Sequence, residues 1–236
     1  MIFGSIDLRQ YFKIKNIKKG MLPPIENITQ QRPGRDGVTL RRTKIKPRSI
    51  SAEIEIKGSS KENLNIIIRH LANTLYTPNL NELRFPDELD KFYMAKLEGD
   101  TDLDEILYYG NTMLNFICPD PIAYGQLRKI QFENRLKAYN KGTYQSLGII
   151  IVEIIENMDH LKVTLLNTGE FLYLEDNFIS GDIVVIDLEE EYIAKNGYSL
   201  MSRLYLESDF FPIPVGEFEI LVSSGNVTLE YRERWL

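Results

Sequence analysis

Hydrophobic and polar residues alternate with period two along most of this chain, a pattern that predicts strands. The cleanest case sets Ile50, Ala52, Ile54 and Ile56 against Ser51, Glu53, Glu55 and Lys57. A looser one sets Ile6, Leu8, Phe12 and Ile14 against Asp7, Arg9, Lys13 and Lys15. Further strands are expected over residues 80–85, 92–98 and 108–117. One stretch changes period. Leu64, Ile67, Ile68, Leu71 and Leu75 fall on one helical face. Ser59 and Glu62 precede them at capping-box spacing, and Thr77-Pro78 follows. A helix is predicted over about residues 61–76. Burying its five apolar residues contributes roughly 1.5–3 kcal/mol each, enough to dock it on a sheet.

Beyond residue 140 the pattern holds strands only. They are expected at 149–155, 161–166, 171–174, 183–188, 200–206, 217–222 and 227–235. Turn residues stand between them: Asn167-Thr168-Gly169, Ser180-Gly181, a hairpin turn at Asn196-Gly197, and Ser224-Gly225-Asn226. Short strands at even spacing predict a β-sandwich. The last run either completes this sandwich or returns to the first domain. Between the two parts lies Asn115-Phe116-Ile117-Cys118-Pro119-Asp120-Pro121. Its prolines lack N–H groups and fix φ, so a strand ends there in an extended exit. A mainly β chain of two domains is expected, residues 1–138 and 139–236.

Charge sharpens that division. The formal net charge of −6 is the sum of +5 over residues 1–138 and −11 over residues 139–236. Cys118 is the single cysteine, which excludes an intrachain disulfide and a thiolate metal cluster. The N-terminus lacks the order of a signal peptide, and the longest apolar run, residues 149–152, is far too short to span a bilayer. A soluble chain made in a cytoplasm is expected.

Candidate chemistry is sparse. Neither glycine-rich phosphate motif is present, nor a His-Glu-x-x-His, nor a nucleophile elbow. Asp100, Asp102 and Asp104 open like a calcium loop, but Glu105 stands where glycine is needed and Asn111 where glutamate is needed, so a solvated turn is the reading. His160 is read as a surface residue, His70 as a partly exposed residue of the helix and Cys118 as a small buried hydrophobe. Asp187 and Glu189 to Glu191 are read as a solvated acidic face. No catalytic residue, metal ligand or cofactor site is assigned.

The remaining signal is Arg32-Pro33-Gly34-Arg35-Asp36-Gly37, a hairpin turn flanked by Arg41, Arg42, Lys44, Lys46 and Arg48. With few apolar residues such a hairpin cannot bury itself. It should project onto solvent or onto another chain. Nucleic acid is the weaker partner, because aromatics for base stacking are absent between Val38 and Ile50. Pro33, Gly34, Arg35, Asp36, Gly37, Arg41 and Arg42 are the candidate intersubunit arm. The second part's aromatics (Tyr144, Phe171, Tyr173, Phe178, Tyr192, Tyr198, Tyr205, Phe210 and Phe211) include candidates for a sugar-stacking platform.

The order of these elements resembles a known family. Phe3-Gly4-Ser5-Ile6-Asp7-Leu8 comes first, then Pro33-Gly34-Arg35-Asp36-Gly37. Arg69-His70-Leu71-Ala72 lies in the helix, followed by Leu83, Phe85 and Asp87, and by Phe92-Tyr93-Met94-Ala95. Phe116-Ile117-Cys118-Pro119-Asp120-Pro121 closes the first part, with Ala123-Tyr124. Gly142-Thr143, residues 211–216 and Tyr231-Arg232-x-Arg234-Trp235 mark the second. Together they resemble the distal tail proteins of long, non-contractile-tailed phages. Ile122 departs from the pattern, where an aromatic is common. The resemblance implies a split-barrel-like β domain with one helix and a long hairpin, then a galectin-like β-sandwich. It implies a non-enzymatic virion protein, assembled in the host cytoplasm into a hexameric ring at the tail tip. The partners implied are the tail tube protein, the tail-associated hub or lysin protein and receptor-binding proteins. DNA would pass through the ring without sequence-specific binding, and no membrane or cofactor is implied. A carbohydrate-binding protein acting through the second domain is the competing reading, and a tail-hub subunit sharing the first-domain fold is a third.

Overall fold

The computed structural model describes the backbone of all 236 residues and every side chain except those of Glu105 and Ile106. The chain is mainly β and forms two compact units, Met1–Ala123 with Leu236, and Tyr124–Trp235. The division falls earlier than 138/139.

The first unit contains β1 (Ile2–Phe3), β2 (Ile6–Asp7), β3 (Phe12–Lys19), β4 (Ile25–Gln31), β5 (Val38–Ile45), β6 (Arg48–Lys57), α1 (Lys61–Leu75), β7 (Asn81–Phe85), β8 (Glu88–Leu97), β9 (Leu103–Ile106) and β10 (Tyr109–Cys118). Its described pairings are antiparallel. β6 sits between β3 and β10, and β10 also pairs with β9 and β8. From β8 the order continues through β7 and β1 to β2. The alternation read in β6 is observed: Ile50, Ala52, Ile54 and Ile56 are buried. Phe12 opposes Ile56 and Ile14 opposes Ile54, so β3 adds its apolar positions to the same layer. The expected first strand is broken, however, because Leu8–Gln10 form a 3-10 turn whose start is capped by Asp7.

α1 covers this sheet through Leu64, Leu71 and Leu75, all buried; Ile67 and Ile68 are partly buried. Its cap lies one residue later than expected. The Ser60 hydroxyl accepts from the Asn63 amide at 3.1 Å, and the Asn63 side-chain oxygen accepts from the Ser59 amide at 3.1 Å. Asn63 does the reciprocal work assigned to Glu62.

The second unit contains β11 (Ala123–Asn140), β12 (Gly148–Glu153), β13 (Met158–Leu165), β14 (Phe171–Phe178), β15 (Ile183–Asp187), β16 (Tyr192–Lys195), β17 (Tyr198–Ser199) and β18 (Gly216–Trp235). One leaf runs β17-β16-β15-β12-β18 and the other β14-β13-β18. Their inner faces share one core, including Ile150, Val163, Leu174, Ile186, Phe218 and Leu229. This is the expected sandwich, and the last strand completes it.

Three details differ from the sequence reading. Ser224-Gly225-Asn226 is no turn but a bend within one strand. There the buried positions change phase, from Phe218, Ile220 and Val222 to Val227, Leu229 and Tyr231, and β18 passes from β13 to β12. The strand expected at residues 200–206 is a 3-10 turn, Met201–Arg203, followed by irregular chain. β11 was not foreseen. It runs beside β18, where Arg128 meets Glu233 at 2.9 Å, Lys129 meets Glu230 at 2.6 Å and Arg135 meets Glu219 at 2.6 Å. Asn196-Gly197 does form the hairpin turn, both residues at positive φ, 51° and 83°.

A small polar network holds that hairpin. Asp182 accepts from the Ile179 amide at 3.0 Å and from the Asn196 side chain at 2.7 Å, while Lys195 pairs with Asp176. The Ile179 amide and Asn196 lower the pKa of Asp182, and Lys195 lowers that of Asp176. Both folded values lie below the unfolded value of about 3.9. The stability they contribute is therefore complete above that value and is lost as pH falls through the lower folded values. Asp182→Asn is expected to reduce Tm at neutral pH and to weaken its dependence on pH below about 4. A variant whose Tm falls with acid as steeply as the wild type's contradicts this role.

Candidate assembly surface

Among the described residues, those weighed from sequence do not gather into one site. Among the described residues no three His, Cys, Asp or Glu side chains gather as a metal site. Asp102 serves through its carbonyl, which accepts from the Thr112 hydroxyl at 2.6 Å, and the Glu105 side chain lies outside the described residues. Cys118 is fully buried, and burial pushes its thiol pKa up to about 12. Exposed His70 stacks on Tyr11 with ring centroids 6.2 Å apart. Asp187 accepts from the amides of Glu189 and Glu190 at 2.9 and 3.0 Å, closing the turn that presents the acidic run.

The arm is the built feature. β4 and β5 form a two-stranded sheet of their own, and no residue from 24 to 47 is buried. Its root is firm. The Lys46 amide donates to the Pro24 carbonyl at 2.8 Å. Arg48, the first residue of β6, is buried, with its guanidinium 5.4 Å over the Tyr93 ring and Nη1 donating to the Tyr93 hydroxyl at 3.0 Å. The tip spans residues 32–37. It is a six-residue loop rather than a two-residue turn: positive φ falls on Gly34 (73°) and Gly37 (84°), and Asp36 stays in the ordinary region. Pro33, Gly34, Arg35, Asp36 and Gly37 therefore form the tip. Arg41 and Arg42 stand apart from it, in mid-strand.

The register gives the arm two faces. Ile25 opposes Ile45, Asn27 opposes Thr43, Thr29 opposes Leu40 and Gln31 opposes Val38; none of these eight is charged. The other face carries Glu26 opposite Lys44 and Ile28 opposite Arg42. Between Ile28 and Thr29 the register shifts, leaving Arg41 as an extra residue on β5. Arg41 Nε donates to the Gln30 side-chain oxygen at 2.6 Å, which places Arg41 beside Arg42 on the charged face. Sequence reasoning saw these basic residues but missed Ile25, Val38, Leu40 and Ile45 as a set. Alternation around the tip was the available signal, and the bulge scrambles it.

A second exposed cluster lies on the other unit. The rings of His160 and Tyr173 are 5.6 Å apart, and Tyr205 meets Tyr173 edge-on at 5.8 Å. Asp159 pairs with His160 at 2.6 Å. Partial burial, then the carboxylates of Glu175 and Asp159, raise the pKa of the Tyr173 phenol. Of the other aromatics, Phe178 and Phe211 are core, and Phe171 lies 4.4 Å beneath the Lys162 ammonium.

Comparison with known proteins gives consistent matches. Residues 5–118 match the phage tail protein RIFT-related domain, and residues 141–235 the C-terminal domain of siphovirus-type tail components. The distal tail protein of Bacillus phage SPP1 is 24% identical over 100% of this chain and 95% of its own length. The crystal structure of the SPP1 protein, described as a hub adsorption apparatus of phages infecting Gram-positive hosts, superposes with a TM-score of 0.88. That match covers 100% of this chain and 98% of the other at 19% identity, a shared fold from end to end. The chain belongs to the distal tail protein family of siphophage tail components.

Proposed function

We propose that this protein is a structural hub of a phage tail tip, with no enzymatic role. Six copies close into a ring between the tail tube and the tail-associated hub protein, and DNA passes through its centre. The first domains surround the channel, and the second domains face outward and support host attachment. The arm crosses onto the neighbouring subunit. The observation that carries this reading is the arm itself. An isolated two-stranded hairpin is marginally stable in water, and this one buries none of its residues within its own chain. Deleting residues 33–39 is expected to abolish the ring while both units keep their cooperative unfolding. A ring that survives the deletion contradicts the arm's role.

A second reading, sugar binding at the host surface, draws on the exposed cluster of His160, Tyr173 and Tyr205 beside Asp159 and Glu175. Rings that offer C–H stacking beside hydrogen-bonding carboxylates suit a carbohydrate. Saturable binding of one glycan class by the whole chain, lost in Tyr205→Ala, supports this reading; an array without binding retires it.

A further inference from the structure

Ile25, Val38, Leu40 and Ile45 are 52%, 61%, 57% and 37% exposed, and all four lie on the uncharged face of the arm. The opposite face holds Arg41, Arg42 and Lys44. Aliphatic side chains gathered on one face of a hairpin mark an interaction surface rather than scattered exposure. The charge distribution says what meets it. Residues 24–46 contain six basic and two acidic residues, +4, which leaves −10 for the rest of a chain of net charge −6. That negative charge lies in residues 139–236, which carry −11, so the second unit of a copy is an electrostatic complement to the arm. Two arms, by contrast, repel each other.

We propose that a second copy of this chain covers the uncharged face of the arm, and that the basic face steers the encounter without being the buried contact. This rests on the reading of the hairpin as an intersubunit arm and adds which face is covered. The division of labour follows from general physics. Apolar burial supplies contact energy in proportion to area. Exposed charges accelerate association more than they strengthen it, and salt screens them. The extra residue at Arg41 has a role here. It keeps two consecutive arginines on the charged side, so that neither interrupts the row from Val38 to Ile45.

The test uses the full-length chain, with mass followed by light scattering over a range of concentrations. Val38→Lys combined with Leu40→Lys is expected to raise the concentration for half-assembly by at least about tenfold, the equivalent of about 1.4 kcal/mol. Arg41→Ser combined with Arg42→Ser is expected to leave that concentration within about threefold at physiological salt and to slow assembly instead. Because lysines at positions 38 and 40 can weaken the hairpin itself, a second readout is needed. An environment-sensitive fluorophore on Leu40→Cys should shift to shorter wavelength on assembly, and one on Arg42→Cys should not. Cys118 does not compete for the label, since its thiol is buried and burial pushes its pKa up.

Normal assembly of the lysine variant overturns the face assignment, as does a spectral shift at position 42 in place of position 40. A wild-type chain that stays monomeric at every concentration, with and without the tail tube protein, overturns the second copy as the occupant. If the deletion of residues 33–39 also assembles normally, the arm reading itself has failed. If only the lysine variant assembles, the face assignment alone has failed.

Discussion

Gly225→Val is expected to leave the second unit unable to fold. Gly225 sits at φ 126°, where side chains are rarely tolerated, at the bend that lets β18 serve both leaves. Space is lacking as well. A Cβ there would stand 2.7 Å from the Glu153 carbonyl oxygen and 2.8 Å from Val152 Cγ1. The first of these belongs to the backbone of β12, which cannot swing aside, and Val152 is fully buried. Relief requires β12 to separate from β18, and a separation there opens the core between Val152 and Val227. A loss above about 4–5 kcal/mol is expected, comparable with the whole stability of many domains. Gly169→Ala is the control. It shares a positive φ of 83° but has nothing within 4 Å, so it should cost only the backbone term of about 1–2 kcal/mol. Urea unfolding monitored by circular dichroism separates the two. Equal losses for both variants contradict the close-approach account.

Leu64→Ala is expected to cost the first unit about 2–5 kcal/mol. Leu64 is fully buried at the first turn of α1, and its backbone nitrogen would lie 2.7 Å from a Cβ on Gly58. That glycine, unable to carry a side chain here, lets the end of β6 pass directly under the helix. The site therefore cannot close around the cavity by moving the helix inward, and the lost contacts stay lost. Ile66→Ala, on the same helix but 58% exposed, should change stability by no more than about 0.5 kcal/mol. Similar losses for both would mean that α1 does not dock through the Leu64, Leu71 and Leu75 face.

The readability of this fold followed how far each element's environment reaches along the chain. β6 and α1 were legible because each buries one face against one neighbour, so period two and period 3.6 stand clear. Even there the cap was ambiguous. Ser59 and Ser60 both precede a polar residue at the right spacing, and only geometry selects Ser60 with Asn63. β11 was invisible because Arg128, Lys129, Arg135 and Lys137 face carboxylates on β18, 80 to 105 residues away. A strand stabilised by distant charges looks like a polar linker. For the same reason the compact units divide at 123/124 rather than at 138/139: residues 124–138 run beside β18 within the second unit. β18 was read as two strands because its phase changes at Gly225, and a bend within one strand leaves the same signature as a turn. At the arm, sequence identified the hairpin and its basic residues. The two faces depend on the shift at Arg41, which exists only once β4 and β5 are paired.

The ring we propose is built from six copies of this chain. Negative-stain electron microscopy of the purified protein, with its mass by light scattering, tests it most directly. Six copies of a 27.4 kDa chain give roughly 164 kDa. Closed rings of that mass are expected, with a hole wide enough for duplex DNA, formed either alone or on addition of the tail tube protein. A chain that remains at 27.4 kDa with and without that partner contradicts it.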